Sequence, residues 1–160
     1  MNSKLIKIGG PVLVVLLIAV GLFARSQNLA PISLAYNPIA QPMFSDLALD
    51  GYDPVAYFTR GAPTPGDAQF SYRWNEADWR FASKEHLQMF QNDPEKYAPA
   101  YGGYCAFAVT QGLVAGVDPH VWKIVDGRLF LNNNADAAIE WNKDLQGSIA
   151  SGDANWRAAF

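Results

Sequence analysis

Between Lys7 and Arg25 the chain carries no charge, and from Pro11 to Ala24 it is an almost unbroken apolar run. As a helix rising about 1.5 Å per residue, positions 8–24 would cover roughly 26 Å of a hydrocarbon layer about 30 Å thick. The run is apolar all round, lies at the extreme N-terminus and follows Lys4 and Lys7, which marks it as a targeting segment and not as a core helix. The best small-residue cleavage match, Ser33-Leu34-Ala35, lies far downstream, which favours an uncleaved anchor over a removed signal peptide. Residues 1–25 are therefore read as a signal anchor or signal peptide. The two lysines hold the short N-terminal end in the cytoplasm, so everything after Arg25 lies outside. The expected location is the periplasmic face of a bacterial inner membrane, or the periplasm itself.

With that segment set aside, nine basic residues face fifteen acidic ones, a formal charge of −6. Such a balance disfavours a nucleic-acid partner. Cys105 is the one cysteine of the chain, so no intrachain disulfide forms and packing alone must hold the fold.

Residues 26–45 read as a linker, with Pro31, Pro38 and Pro42 among small and polar neighbours and no apolar periodicity. The folded part is expected over 46–160, with no repeat legible along it. Asp50-Gly51 and Asp53-Pro54 mark turns, Val55 to Phe58 reads as a short strand, and Gly61 to Asp67 as a loop. Phe70, Tyr72 and Trp74 alternate with polar residues, as do Trp79 and Phe81, so a hairpin turns at Asn75 to Asp78. Ser83 is placed to cap a helix from Lys84 to about Asn92, which Asp93-Pro94 stops. Paired glycines at 102 and 103 permit an unusual turn before Cys105, and the stretch after that cysteine is open between helix and strand. Val121 to Val125 and Arg128 to Leu131 flank Asp126-Gly127, a strong signal for a type I′ hairpin. Asn134 caps a last substantial helix to about Leu145, and Trp156 packs back from a short closing helix or turn. The expected class is α+β: one small domain of antiparallel hairpins packed with short helices, preceded by the N-terminal hydrophobic helix.

Three stretches together resemble the YHS domain in its longer, selenoprotein-like variant: Gly51-Tyr-Asp-Pro-Val-Ala-Tyr-Phe58, Trp79-Arg-Phe-Ala-Ser-Lys-Glu-His86 with Phe90-Gln-Asn-Asp-Pro-Glu-Lys-Tyr97, and Tyr101-Gly-Gly-Tyr-Cys-Ala106. The resemblance covers about Asp46 to Phe160. Shorter members of that family resemble metal-sensing or metal-delivering modules built on cysteines after the Asp-Pro-Val turn and at the strand-to-helix junction. This chain departs from them: Ala56, Ala82 and His86 stand at those positions.

A closed zinc site uses four Cys or His ligands, and the chain offers Cys105, His86 and His120. A thiolate with two imidazoles suits copper or zinc, and that trio is the candidate metal set. Each has a plainer role: Cys105 as a buried small hydrophobe, His86 as a half-exposed structural residue near a helix start, and His120 as an exposed loop histidine. The selenoprotein resemblance implies that thiol chemistry matters at Cys105. No Ser-His-Asp arrangement, His-Glu-x-x-His pattern, phosphate loop or dinucleotide fingerprint is legible, which argues against a hydrolase or nucleotide enzyme.

The leading expectation is an extracytoplasmic module that binds a transition metal. The alternatives are a metal-free redox protein that cycles Cys105 through a sulfenic or mixed-disulfide state, and a non-catalytic accessory domain of a membrane complex. The expected partners are a metal ion, the membrane through the N-terminal helix, and a membrane protein.

Overall fold

The computed structural model describes residues 30–34, 37–42 and 44–160. The N-terminal helix and the anchor reading lie outside these residues, and among the described residues no helix is long and apolar enough to cross a membrane. The architecture is α+β, a single domain of small antiparallel sheets and short helices.

Asp53 opens the first helix, α1 (Pro54–Thr59), where the sequence predicts a strand. The short apolar run fits either element, and the cap decides it: the Asp53 carboxylate accepts from the amides of Val55 and Ala56, and Pro54 supplies a preset φ in the first turn. Strands β2 (Asp67–Trp74) and β3 (Ala77–Phe81) form the first hairpin. Its turn is only Asn75-Glu76, both at positive φ as a type I′ turn requires, so Ala77 and Asp78 belong to the strand. Ser83 caps α2 (Lys84–Asn92) as expected, and α3 (Pro94–Tyr97) follows directly.

After Cys105 the chain is helical, α4 (Ala106–Thr110). Strand β4 (Leu113–Val114) then pairs with β1 (Ala30–Pro31). The second hairpin joins β5 (Asp118–Val125) to β6 (Arg128–Asn132) through Asp126-Gly127 at positive φ, as expected. The closing helical region is two helices, α5 (Ala135–Lys143) and α6 (Leu145–Ala159). Asp144 leaves helical geometry between them and caps the second through the Gly147 amide. Gly147, Ser148, Ser151 and Gly152 are weak helix formers, which is why a fifteen-residue helix reads in sequence as no more than a short closing helix or turn.

These elements repeat one unit twice. In each half, three successive residues at positive φ (Leu49, Asp50 and Gly51; Tyr101, Gly102 and Gly103) lead through a tyrosine to a helix cap and a short helix. A hairpin comes next whose register slips at the same place, between Asp67 and Ser71 and between Asp118 and Trp122, and an Asx or Ser cap then starts a nine-residue helix. From the hairpins onward the second unit is offset by 51 residues. Each half has its own core built at matching positions. Trp79 stacks on Phe90 at a centroid distance of 5.1 Å, and Phe130 on Trp141 at 5.1 Å. All four are buried, and removing so large an apolar area from water supplies much of the cohesion of each half.

The halves meet on one face of the second hairpin, where Trp122, Ile124, Leu129 and Leu131 pack against Leu49 and Tyr57 of the first unit. Tyr57 donates to the Pro119 carbonyl at 3.0 Å, and burial pushes its phenol well above the usual range. The chain before Asp46 is already engaged with the domain. Ile39 is buried in the first core, and the Ala40 amide donates to the Gly102 carbonyl at 2.8 Å. Any side chain at 102 would strike the Pro38 carbonyl oxygen, so glycine there admits the approach.

Candidate functional site

The most polar buried arrangement surrounds Asp53, which is fully buried. One carboxylate oxygen accepts from Val55 N at 2.8 Å and Ala56 N at 3.3 Å; the other accepts from Ala82 N at 2.9 Å and lies 2.5 Å from His86 Nδ1. With three amides already aimed at it, the carboxylate is the acceptor and Nδ1–H the donor. Four donors on one carboxylate offset the cost of taking it out of water.

His86 comes from the first turn of α2, where the Ser83 cap turns it inward, and it is 8% exposed, not half-exposed. Its Nε2 lies 3.1 Å from the Thr59 hydroxyl, which also lies 3.1 Å from the Val55 carbonyl. One hydroxyl proton thus has two acceptors within reach. Donation to the Val55 carbonyl leaves a hydroxyl lone pair facing Nε2, whereas donation to Nε2 requires that nitrogen to carry no proton. The Asp53, His86 and Thr59 chain runs from a buried carboxylate to an exposed hydroxyl and ties α1 to the start of α2.

Cys105 is 2% exposed. Its thiol donates to Asn132 Oδ1 at 3.6 Å and accepts from Asn133 N at 3.3 Å, while Asn132 Oδ1 also accepts from Phe107 N at 3.0 Å. Ala108 and Ala115 are buried beside it, and Ala137 packs against the same cluster. His120 is exposed. Its Nε2 lies 3.3 Å from the Tyr52 hydroxyl, the two rings meet edge to face, and its amide is held by Asp118.

Each of the three candidate ligands therefore has its own surroundings: His86 with Asp53 and Thr59, Cys105 with Asn132 and Asn133, His120 with Tyr52. Among the described residues no three His, Cys, Asp or Glu side chains gather as a metal site.

The repeat relates two of these places. The Ala82 amide, just after β3, donates to Asp53, and the Asn133 amide, just after β6, donates to Cys105. Asp53 and Cys105 both precede the short helix of their half, and their own amides donate to Thr64 and Ala115, which are 51 residues apart. The position matching His86 is Ala137. Asp53, Thr59 and Asn132 escape a search of the sequence for ligands. The legible signal is Asp53-Pro54, a helix cap followed by its N1 proline, and it points to structure before chemistry.

Comparison with protein-family models, with curated proteins and with solved structures finds no match to this chain.

Proposed function

We propose that the chain is an extracytoplasmic, YHS-like accessory module, tethered by its N-terminal segment and non-catalytic, in which the side chains of Asp53 and Cys105 tie each short helix to the end of the hairpin that follows it. The observation that carries this reading is the equivalence of Ala82 N to Asp53 Oδ2 at 2.9 Å with Asn133 N to Cys105 Sγ at 3.3 Å. It gives the lone thiol of an exported protein a role that needs neither metal nor oxidant. A thiol buried among alanines and bonded on both sides is a poor nucleophile for redox cycling.

A second reading, one copper or zinc ion at His86, has its own support. A carboxylate on Nδ1 is the usual outer partner of a metal-binding histidine and leaves Nε2 as the ligand atom.

Thermal unfolding of the full chain with and without Cu(I) or Zn(II) under reducing conditions separates the readings, because a ligand that binds only the folded state raises the melting temperature. The accessory reading expects no rise at equimolar metal. A rise lost in His86→Ala alone replaces it with the single-ion reading, and a rise lost in Cys105→Ala, His86→Ala and His120→Ala alike restores the joint site.

A further inference from the structure

The repeat exposes an asymmetry between the two hairpins. The face carrying Trp122, Ile124, Leu129 and Leu131 in the second unit is apolar and covered by the first unit. The matching positions of the first hairpin are Ser71, Arg73, Asp78 and Arg80, paired in the same register, and this face is open. The segment Ser45 to Leu47 runs alongside it, fixed by the Asp78 amide donating to the Asp46 carbonyl at 2.7 Å. The result is a groove of about 400 Å³, lined also by Ala68 and Tyr72. That volume is at the small end of cavities that hold small molecules.

The charges in the groove are unevenly used. Arg73 binds both acids, Asp46 at 3.1 Å and Asp78 at 3.0 Å. Arg80 is half-buried and, among the described residues, has neither an acidic partner nor a side-chain hydrogen bond. Gly66 lies against the Arg80 backbone and Cβ, and a Cβ at Gly51 would stand 3.6 Å from Arg80 Cδ and 3.8 Å from its Nη1, so the side chain passes over Gly51. Two glycines thus let the chain pass close to an arginine whose guanidinium has no acidic partner among the described residues. Ser45 and Ser71 line the same groove, Ser71 directly across the strand pair from Arg80, and Ser45 Oγ accepts from the Leu47 amide.

We infer that this groove binds a small organic carboxylate, with the Arg80 guanidinium as its anchor and the Ser45 and Ser71 hydroxyls as additional donors. A guanidinium fork pairs with carboxylate or phosphate in two parallel bonds. Asp46 and Asp78 in the same lining repel the higher charge of phosphate more strongly, which selects the singly charged group. The groove shares no residue with the surroundings of Asp53, Cys105 or His120, so the inference stands apart from the accessory reading and survives its failure.

The test is a titration of the isotopically labelled full chain in detergent micelles with sodium butyrate, followed by amide shifts at constant ionic strength, with inorganic phosphate and potassium chloride in parallel. Saturable shifts at Leu47, Ser71 and Arg80 are expected with butyrate, weakened about tenfold in Arg80→Gln and unchanged in Arg60→Gln. Ser71→Trp, which copies Trp122 of the second half into the groove at an exposed position, should abolish them and serves if Arg80→Gln does not fold. Absence of saturation in the wild type, or shifts in both groove variants as strong as in the wild type, overturns the site. Phosphate binding as tightly as butyrate overturns the choice of ligand.

Discussion

Asp53 and Cys105 hold matching places in the two halves of the domain, although only Asp53 caps its helix through its own side chain, Asn132 taking the Phe107 amide in the second half. Each precedes a short helix and receives, through its side chain, the amide that comes after the second hairpin strand: Ala82 N at 2.9 Å for Asp53, Asn133 N at 3.3 Å for Cys105. The first half adds His86 to the carboxylate, while the second leaves Ala137 at the matching place and bonds its thiol to Asn132.

The Cys105 thiol should be protected in the native state. With 2% exposure and bonds on both sides, it must wait for an opening of the fold before a bulky disulfide reagent can reach it. Labelling of the native chain should be slower than that of the denatured chain by roughly a hundredfold or more, since about 3 kcal/mol of opening energy suffices. Comparable rates would mean an accessible thiol and would revive the redox reading.

Loss of Asp53 should cost far more than loss of the thiol. Asp53→Ala strips an acceptor from two buried amides, from the part-buried Ala82 amide and from His86, for an expected loss of about 3 to 5 kcal/mol in denaturant unfolding. Cys105→Ala removes one weak donor, the weak sulfur acceptor of the Asn133 amide and a small volume, for about 1 to 2 kcal/mol. The reverse order would contradict the ranking of the two pivots.

Acid should erase the contribution of Asp153. Arg128 holds its carboxylate in a two-bond pair, with the Tyr101 hydroxyl donating to the same group, and the guanidinium beside it lowers the carboxyl below its usual range. A depressed folded value gives stability that is complete above the unfolded value of about 3.9 and is lost as the pH falls through the folded one. Both partners are partly exposed, so the pair is expected to contribute about 1 kcal/mol or less. The melting-temperature gap between wild type and Asp153→Asn should stay constant down to about pH 5 and close below about pH 4. A gap that widens on acidification would assign the stabilisation to another group.

Local rules make much of the chain legible in advance. Ser83 and Asn134 announce their helices because a side-chain oxygen can take a first-turn amide, and Asp126-Gly127 announces its hairpin because both residues tolerate positive φ. The misreadings have the same origin. Val55 to Phe58 is too short for periodicity to separate helix from strand, and Glu76 gives no hint that it accepts positive φ in a two-residue turn. The repeat leaves little trace in sequence because its marks are contacts: Trp79 on Phe90 and Phe130 on Trp141 match in geometry while sharing no residue identity. Residue type alone groups Cys105, His86 and His120, whereas burial and hydrogen bonding assign each of them to different neighbours. Asp53 reads in sequence as turn chemistry and is the most heavily bonded side chain of the group.

The most direct test of the equivalence is to move the first pivot into the second half and measure folding stability in denaturant. Cys105→Asp alone places a carboxylate beside Asn132 and Asn133 in an otherwise apolar cluster of Ala108, Ala115, Phe107, Leu113 and Val117, and should destabilise the chain by about 3 kcal/mol or more. Adding Ala137→His supplies the partner that His86 gives Asp53, so the double variant should regain at least about 1 kcal/mol over Cys105→Asp. Additive losses, with the double variant less stable than either single one, would contradict the claim that Asp53 and Cys105 are equivalent pivots.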